Sequence, residues 1–427
     1  MKNNIAIIGS GYVGLPLAIA LSKFYKVVSF DKDLTRILQL KRGIDVNKQH
    51  NKINLLKNNI KFTSSEKDLK KIDIFIISVP TPINLKFQPD IRMLINATKL
   101  VARFVRRKTL VIYESTTYPG CTEEICIPIL QKVSNLQLGE FLVGYSPERV
   151  NPGDKKNTLK NITKIVSGNN LYTLNKVKRI YKLICKKVFC ASSIKVAESA
   201  KVIENTQRDL NIALVNELSI IFSKLKISTH EVLKAASTKW NFHFYKPGLV
   251  GGHCISVDPY YLAFKSKTKK YKPKILLTGR KFNENMSKYI AKKALFYLNN
   301  YTSKTKIKKV AILGFSFKEN IPDFRNSKII DIINIFKKNK VYFTIIDPIV
   351  SKSSVMQKHN LKINNFSELK RNFYDLIILG VSHKQFLKDI SYYNKFYKNK
   401  NKKIFFDIKN NYSENQLKKN NNIYFQL

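Results

Sequence analysis

Two stretches of this sequence bring together residue types that do chemistry at short spacing. The first is GGHCISVDP, Gly251 to Pro259, where the thiol of Cys254 follows two glycines and a histidine, and the carboxylate of Asp258 comes four residues later. Glycines let a ligand or another backbone approach closely. A thiolate is a strong nucleophile, and a nearby carboxylate orients water or holds a proton. Alone, the stretch reads equally as a tight loop with a structural cysteine.

The second stretch is GSGYVG, comprising Gly9, Ser10, Gly11, Tyr12, Val13 and Gly14. It follows an apolar run, IAII, and precedes a helical run, LPLAIALSKF. A second apolar run then ends in Asp31, 17 residues after Gly14. Strand, glycine turn, helix and acid in that order form the setting of a dinucleotide fold, in which the helix N-terminus meets a pyrophosphate. Asp31 would accept from the adenosine ribose and repel a 2′-phosphate, which favours NAD over NADP. Arg36, shortly after, leaves a phosphate contact open.

Ligands of such sheets sit beyond the carboxyl ends of the strands. VPTP (79–82), STTYPG (115–120) and SPERVNPG (146–153) arrive there, so Thr81, Thr116 and Glu148 are expected to face the cofactor. A cysteine in a glycine loop beside such a crevice suggests oxidation beyond the aldehyde. A hydride leaves an aldehyde carbon only from a tetrahedral adduct, and a thiolate can make one. Lys201 supplies a cation for the thiolate and for the resulting oxyanion. It lies with Asn205 and Arg208 on one helix face, at steps of 4 and 3.

The elements that position these residues read as α/β. Residues 1–150 alternate strand-like runs (5–8, 27–30, 74–79, 110–115, 141–145) with helical patterns, the signature of a parallel sheet covered on both faces. From about Ser193 to Leu225 one helical pattern carries Ile203, Leu210, Leu214, Leu218, Ile221 and Leu225 as a single apolar stripe. Such length suits a domain-spanning or dimer-forming helix. From about Lys308 the α/β rhythm restarts (310–317, 342–348, 375–382, 404–408) without the full glycine fingerprint. The last residues, KKNNNIYFQL, read as a loosely held tail.

Composition sets bounds on this reading. The chain has 427 residues and 44% hydrophobic content, enough for two or three domains. Apolar runs fall short of a membrane span. Five cysteines without a CxxC, in a chain this long, argue against a disulfide framework and for a reducing, cytoplasmic setting. His253 and Cys254 have no companion pair, so no metal site is expected. The formal charge of +48 and the runs KSKTKKYKPK and KNKNKK raise a nucleic-acid-binding alternative. Lysine is nevertheless spread over the whole length beside abundant Asn, Ile, Tyr and Phe, which fits a biased genome better, and neither a nucleic-acid nor a membrane partner is expected.

Taken in order, GSGYVG, SVPTPIN, YESTTYPGCTEE, GYSPERVNPG, AESAKVIENTQRDLNIALVNE, KWNFHFYKPGLVGGHCISVDPYYL and GFSFKENIPDFRNSKIIDI resemble the UDP-glucose/GDP-mannose dehydrogenase family essentially end to end. They are most similar to its bacterial UDP-N-acetylglucosamine 6-dehydrogenases of capsule and O-antigen synthesis. The resemblance implies two Rossmann-like doubly wound sheets joined by a long central helix: an NAD-binding domain over 1–192, a central dimerisation domain with the cysteine loop over 193–304, and a UDP-sugar-binding domain over 305–427. It implies a four-electron oxidation of the sugar C6 alcohol to a carboxylate with two NAD⁺. UDP-glucose, UDP-N-acetylmannosamine and GDP-mannose are the alternative substrates.

By the same resemblance Cys254 matches the nucleophile and Asp258 the acid that positions water. Lys201 matches the oxyanion-stabilising lysine, with Asn205 one turn on. Thr116 matches a water-holding threonine, and Glu148 the glutamate of proton transfer and thioester hydrolysis. Arg325 is expected near the cofactor, at the domain junction. Arg149, Lys246, Gly251 and Lys318 are expected on the nucleotide sugar. A homodimer through the central helix is also implied. Ser237 and Ser256 stand where relatives are expected to carry glycine, and His243 where an apolar residue is usual.

Overall fold

The computed structural model describes residues 4–47, 49–56, 59–150, 154, 156–302, 307–420 and 422–427; the last three residues of GYSPERVNPG lie outside them. The chain divides into two compact units, one formed by residues 1–205 with 257–273 and the other by residues 206–256 with 274–427.

The first unit is built on an eight-stranded sheet. Its strands are β1 (Asn4–Ile8), β2 (Lys26–Phe30), β3 (Ile60–Thr63), β4 (Ile74–Ile77), β5 (Leu110–Tyr113), β6 (Leu142–Tyr145), β7 (Thr163–Gly168) and β8 (Lys187–Cys190). They lie in the order 3-2-1-4-5-6-7-8 and are parallel except for the β6–β7 pair. The strand order reverses between β1 and β4, which opens a crevice at their carboxyl ends. Continuous apolar runs such as IAII and IFII suit strands covered on both faces. Ile5 and Ile7 pack into one core, Ala6 and Ile8 into another.

The second unit repeats the plan. Its strands are β9 (Lys309–Leu313), β10 (Tyr342–Ile346), β11 (Ile363–Asn364), β12 (Leu376–Leu379), β13 (Lys403–Asp407) and β14 (Asn422–Gln426). The parallel order is 11-10-9-12-13-14, again with a reversal at the first strand. β14 corrects the reading of the C-terminus as a loose tail. Asn422 to Gln426 pair in register with Lys403 to Asp407. Phe425 and Leu427 enter the core, and Asn410 donates to the Leu427 carbonyl at 2.7 Å. Alternating apolar residues in IYFQL were masked by the asparagine run before them.

The long helix runs from Ile194 to Leu225. Along its apolar stripe Ile203, Leu214, Ile221 and Leu225 are exposed in the single chain. At the C-terminus of the helix Thr229–Ala236, Ser237 has ordinary helical dihedrals and donates to the Lys234 carbonyl, so no glycine is needed there. Among the described residues no helix is long and apolar enough to cross a membrane.

Candidate active site

The glycine turn of the first unit is shaped by close approach. Gly9 has φ of +101°, and a Cβ on Gly14 would lie 1.9 Å from the Gly9 carbonyl oxygen, so neither position accepts a side chain easily. Gly11 differs: a Cβ there would meet nothing within 4 Å. Its missing side chain therefore leaves room on the open side of the turn. The helix that follows, Gly14–Leu21, has no side-chain cap at Val13, and Tyr12 and Val13 are partly exposed. Uncapped helix N–H groups beside an open glycine turn suit a pyrophosphate.

Asp31, at the end of β2, accepts from the Ser10 amide at 2.8 Å and from the Asp33 amide at 3.0 Å. Its carboxylate is thereby held beside the turn, where a ribose would need it. Arg36 acts from behind instead: its Nε donates to the Ser10 carbonyl at 3.1 Å and its Nη2 pairs with Asp45 at 2.9 Å, both side chains buried. An arginine held this way braces the turn. Thr81, beyond β4, donates to the Thr116 carbonyl at 2.7 Å, and Tyr261 donates to the Thr81 carbonyl at 2.8 Å. The two loops at the strand ends are thus tied together, and the residues present fit an NAD molecule.

Beside these loops, one face of the long helix carries two of the three polar residues anticipated from spacing, Lys201 and Asn205, while Arg208 is exposed. Lys201 is buried, and Asn205, one turn on, donates to Asp258 at 2.5 Å. Asp258 opens the helix Asp258–Thr268, with Pro259 in the first turn, the usual place for both an acid and a proline. Asp258 is 2% exposed and its carboxyl pKa is raised to about 6. Burial is the main cause; Lys201 and the Asn205 hydrogen bond oppose it, and Glu204 adds to it. A carboxyl poised there can hold water or exchange a proton near neutral pH.

Glu148 lies past β6, partly exposed, and accepts from the Arg149 amide at 2.7 Å and the Val150 amide. Arg149 turns its guanidinium to the Thr163 carbonyl at 2.6 Å and to Glu204 at 2.8 Å. Thr116 is partly exposed between the buried Ser115 and Thr117.

One residue of this region is given no role by motif or spacing. Glu198, fully buried, stands one turn before Lys201 and accepts four hydrogen bonds: from the Gly120 and Thr122 amides and from the Thr117 and Thr122 hydroxyls. It fixes the segment directly after Thr116, including the entry to the π-helical turn Thr122–Cys126. Its sequence signals were its place in the segment AESAKVIENTQRDLNIALVNE and its position on the Lys201 face, three residues before that lysine.

In the second unit the cysteine loop answers why two glycines precede the thiol. A Cβ on Gly251 would lie 2.6 Å from the Asn326 carbonyl oxygen, and one on Gly252, with φ of +86°, 2.8 Å from the Phe317 ring. The Gly252 carbonyl accepts from Asn326 at 3.0 Å and from the Ser256 hydroxyl at 2.5 Å. Ser256, where the resemblance leads glycine to be expected, thereby latches the turn that carries Cys254. The thiol is free of disulfide and partly exposed. His253 has its Nδ1 3.6 Å from Asp323, which Arg325 grips with two nitrogens. His253 is thus a loop residue, and Arg325 a partner of Asp323. Lys246 is exposed, and Lys318 is half-buried with its carbonyl accepting from Ser316.

The second sheet carries the same turn geometry without an open acid. The Gly314 amide bonds the Ile346 carbonyl as Gly9 bonds Phe30. Asp347 occupies the place of Asp31 but is buried, accepting from the Phe315, Ser316, Ile349 and Val350 amides and pairing with His383 at 3.0 Å. Such an acid has no capacity left for a ribose. Of the two sheets, the first presents the dinucleotide cradle.

Two doubly wound sheets, one with a dinucleotide cradle, together with a lysine–asparagine–aspartate cluster and a cysteine loop, define a nucleotide-dependent oxidoreductase. The chain belongs to the UDP-glucose/GDP-mannose dehydrogenase family: its NAD binding domain matches residues 3–185, its central domain 195–285 and its UDP binding domain 311–414. It is an NAD-dependent UDP-sugar dehydrogenase. The chain is 49% identical over 385 residues to UDP-N-acetyl-D-glucosamine 6-dehydrogenase of Salmonella typhi, covering 90% of each. It is 46% identical over 419 residues to protein CapL of Staphylococcus aureus, covering 98% of each. Among solved structures it is similar to UDP-D-ManNAc dehydrogenase from Pyrococcus horikoshii, with TM-score 0.89, 29% identity, and 99% and 98% of the two chains covered.

Proposed function

We propose that this protein oxidises the C6 alcohol of UDP-N-acetylglucosamine to the carboxylate through covalent attachment to Cys254. The observation that carries the reading is the Lys201–Asn205–Asp258 cluster, with Lys201 and Asp258 buried and Cys254 only four residues before Asp258 along the chain. Four extended residues span at most roughly 14 Å. Bound NAD⁺ supplies the hydride acceptor for each oxidation, held by the glycine turn, Tyr12, Val13, Asp31 and Thr81.

Once the alcohol has become an aldehyde, the Cys254 thiolate adds to C6 and forms a thiohemiacetal. Lys201 stabilises the oxyanion. Loss of the second electron pair leaves a thioester. Asp258 and Thr116 hold the water that attacks it, Asn205 orients Asp258, and Glu148 takes the proton as the carbon–sulfur bond breaks. Arg149, Lys246, Gly251 and Lys318 are assigned to the nucleotide sugar, Arg325 to the neighbourhood of the cofactor, and Arg36 to bracing the cofactor turn.

We assign the three segments 1–192, 193–304 and 305–427 to cofactor binding, dimerisation with the cysteine loop, and UDP-sugar binding. The exposed stripe of the long helix supports a homodimer. The reading includes a cytoplasmic place in surface-polysaccharide synthesis, as the motif resemblance to the capsule and O-antigen enzymes implies. UDP-N-acetylmannosamine is the second reading, favoured by the likeness to the Pyrococcus horikoshii enzyme.

The deciding experiment measures kcat/KM with NAD⁺ over a panel of UDP- and GDP-sugars. UDP-N-acetylglucosamine should lead; a lead for another sugar overturns that assignment. Cys254→Ser should lose turnover while keeping nucleotide-sugar affinity, and near-normal turnover would remove the thiol from the reaction.

A further inference from the structure

Behind Glu148 lies a charged group that the sequence hides among its many lysines. Lys164, the second residue of β7, is completely buried. Its Nζ donates to Glu114 at 2.7 Å and to the Pro147 carbonyl at 3.0 Å, and lies 3.9 Å from the Glu148 carboxylate. Glu114, directly after β5, is equally buried and accepts a further hydrogen bond from the Tyr181 hydroxyl. A buried ammonium is costly unless paired and hydrogen-bonded, and this one meets both conditions.

Burial pulls the Lys164 pKa down, but the Glu114 and Glu148 carboxylates outweigh it, and the net direction is upward. Burial also keeps the Tyr181 hydroxyl protonated, as a donor to Glu114. Arg149, next in the chain, is committed to the Thr163 carbonyl and Glu204, and burial raises the pKa of the Cys185 thiol, which stays neutral.

We propose that Lys164 is a positioning residue for Glu148: it anchors the carbonyl just before that residue and faces its carboxylate, with Glu114 as the fixed counter-charge. Two backbone amides hold one Glu148 oxygen and Lys164 faces the other, so the carboxylate has a single presentation. The step it serves is hydrolysis. Water adds to the thioester carbon, the carbon–sulfur bond breaks with its electron pair on Cys254 Sγ, and Glu148 receives the water proton. The inference rests on the hydrolytic role given to Glu148 above.

A double-mutant cycle with UDP-N-acetylglucosamine and NAD⁺ tests it, using Lys164→Met, Glu148→Gln and the pair. Lys164→Met should lower kcat by on the order of tenfold or more, with KM changed by less than about twofold. Intact-protein mass spectrometry of the quenched enzyme should then show a sugar adduct on Cys254. The pair should be no slower than Glu148→Gln alone, because both changes disable one group. Losses that multiply, or a change confined to KM, overturn the proposal.

Should Lys164→Met fail to fold, Glu114→Gln, which keeps size and removes the counter-charge, takes its place in the cycle. Losses that do not multiply then support the proposal, and losses that do overturn it. If Glu148→Gln turns over normally and accumulates no adduct, the hydrolytic role of Glu148 is wrong, and the proposal falls with it. A slow Glu148→Gln with a normal Lys164→Met sinks the proposal alone.

Discussion

Replacing Asn205 with leucine should move the acid limb of the reaction rather than merely slow it. Asp258 has a carboxyl pKa raised to about 6, and the Asn205 side chain donates to its charged form at 2.5 Å. A hydrogen bond to a charged group is worth about 1.5–3 kcal/mol, and 1.36 kcal/mol corresponds to one pKa unit. Because Asp258 is 2% exposed, solvent does little to screen the loss. Leucine matches asparagine in size but offers no donor, so the ionised carboxyl loses about one to two units of preference.

The sign is fixed by the role of Asp258: water is held by the carboxylate, so activity disappears as pH falls through the pKa. In the parent enzyme kcat should drop about tenfold per unit below about pH 6. In Asn205→Leu the same limb should begin at roughly pH 7 to 8. Steady-state rates of NADH formation, with NAD⁺ and UDP-N-acetylglucosamine both saturating across the pH range, report it directly. A parent limb at the pH of an ordinary carboxylate, or a limb that stays put in Asn205→Leu, refutes the reasoning.

Two contrasts bear on the scaffold. Gly14→Ala forces a Cβ to 1.9 Å from the Gly9 carbonyl, so thermal stability should fall by about 1–3 kcal/mol, with NAD⁺ affinity falling too. Gly11→Ala meets open space and should leave the unfolding midpoint unchanged while weakening NAD⁺ binding, read by calorimetry; equal effects of the two changes contradict the cradle. Glu198→Gln places a donor among four donors, which should cost about 2–3 kcal/mol in thermal unfolding and lower kcat through Thr116. A variant as stable and active as the parent would show that the segment holds without it.

Much of this was legible because some residues are constrained by local geometry alone. Gly9, Gly14 and Asp31 announce a turn with an acid at fixed range; in the structure Gly9 takes a positive φ, Gly14 packs against its carbonyl and Asp31 accepts from the Ser10 amide. Lys201 and Asn205 were legible as helical neighbours at a step of four. Other features depend on partners distant in sequence. Glu198 looks like any helical glutamate until Gly120, Thr117 and Thr122 arrive from 76 to 81 residues away. Lys164 is one among 77 lysines and arginines, and only β5 and the helix Leu171–Lys182 reveal that it is buried. The strands β3, β7, β8 and β11 were missed because they are short or carry lysine and asparagine, so apolar periodicity barely registers. The C-terminal strand was missed for a related reason: its pairing partner, β13, supplies the evidence for it.

The central claim is that Cys254 retains the half-oxidised sugar until a second electron pair has left. Counting NADH released per UDP-N-acetylglucosamine consumed tests it most directly. The account predicts two NADH per sugar, with a uronate product and no free aldehyde. A single NADH per sugar, with aldehyde accumulating, would contradict it.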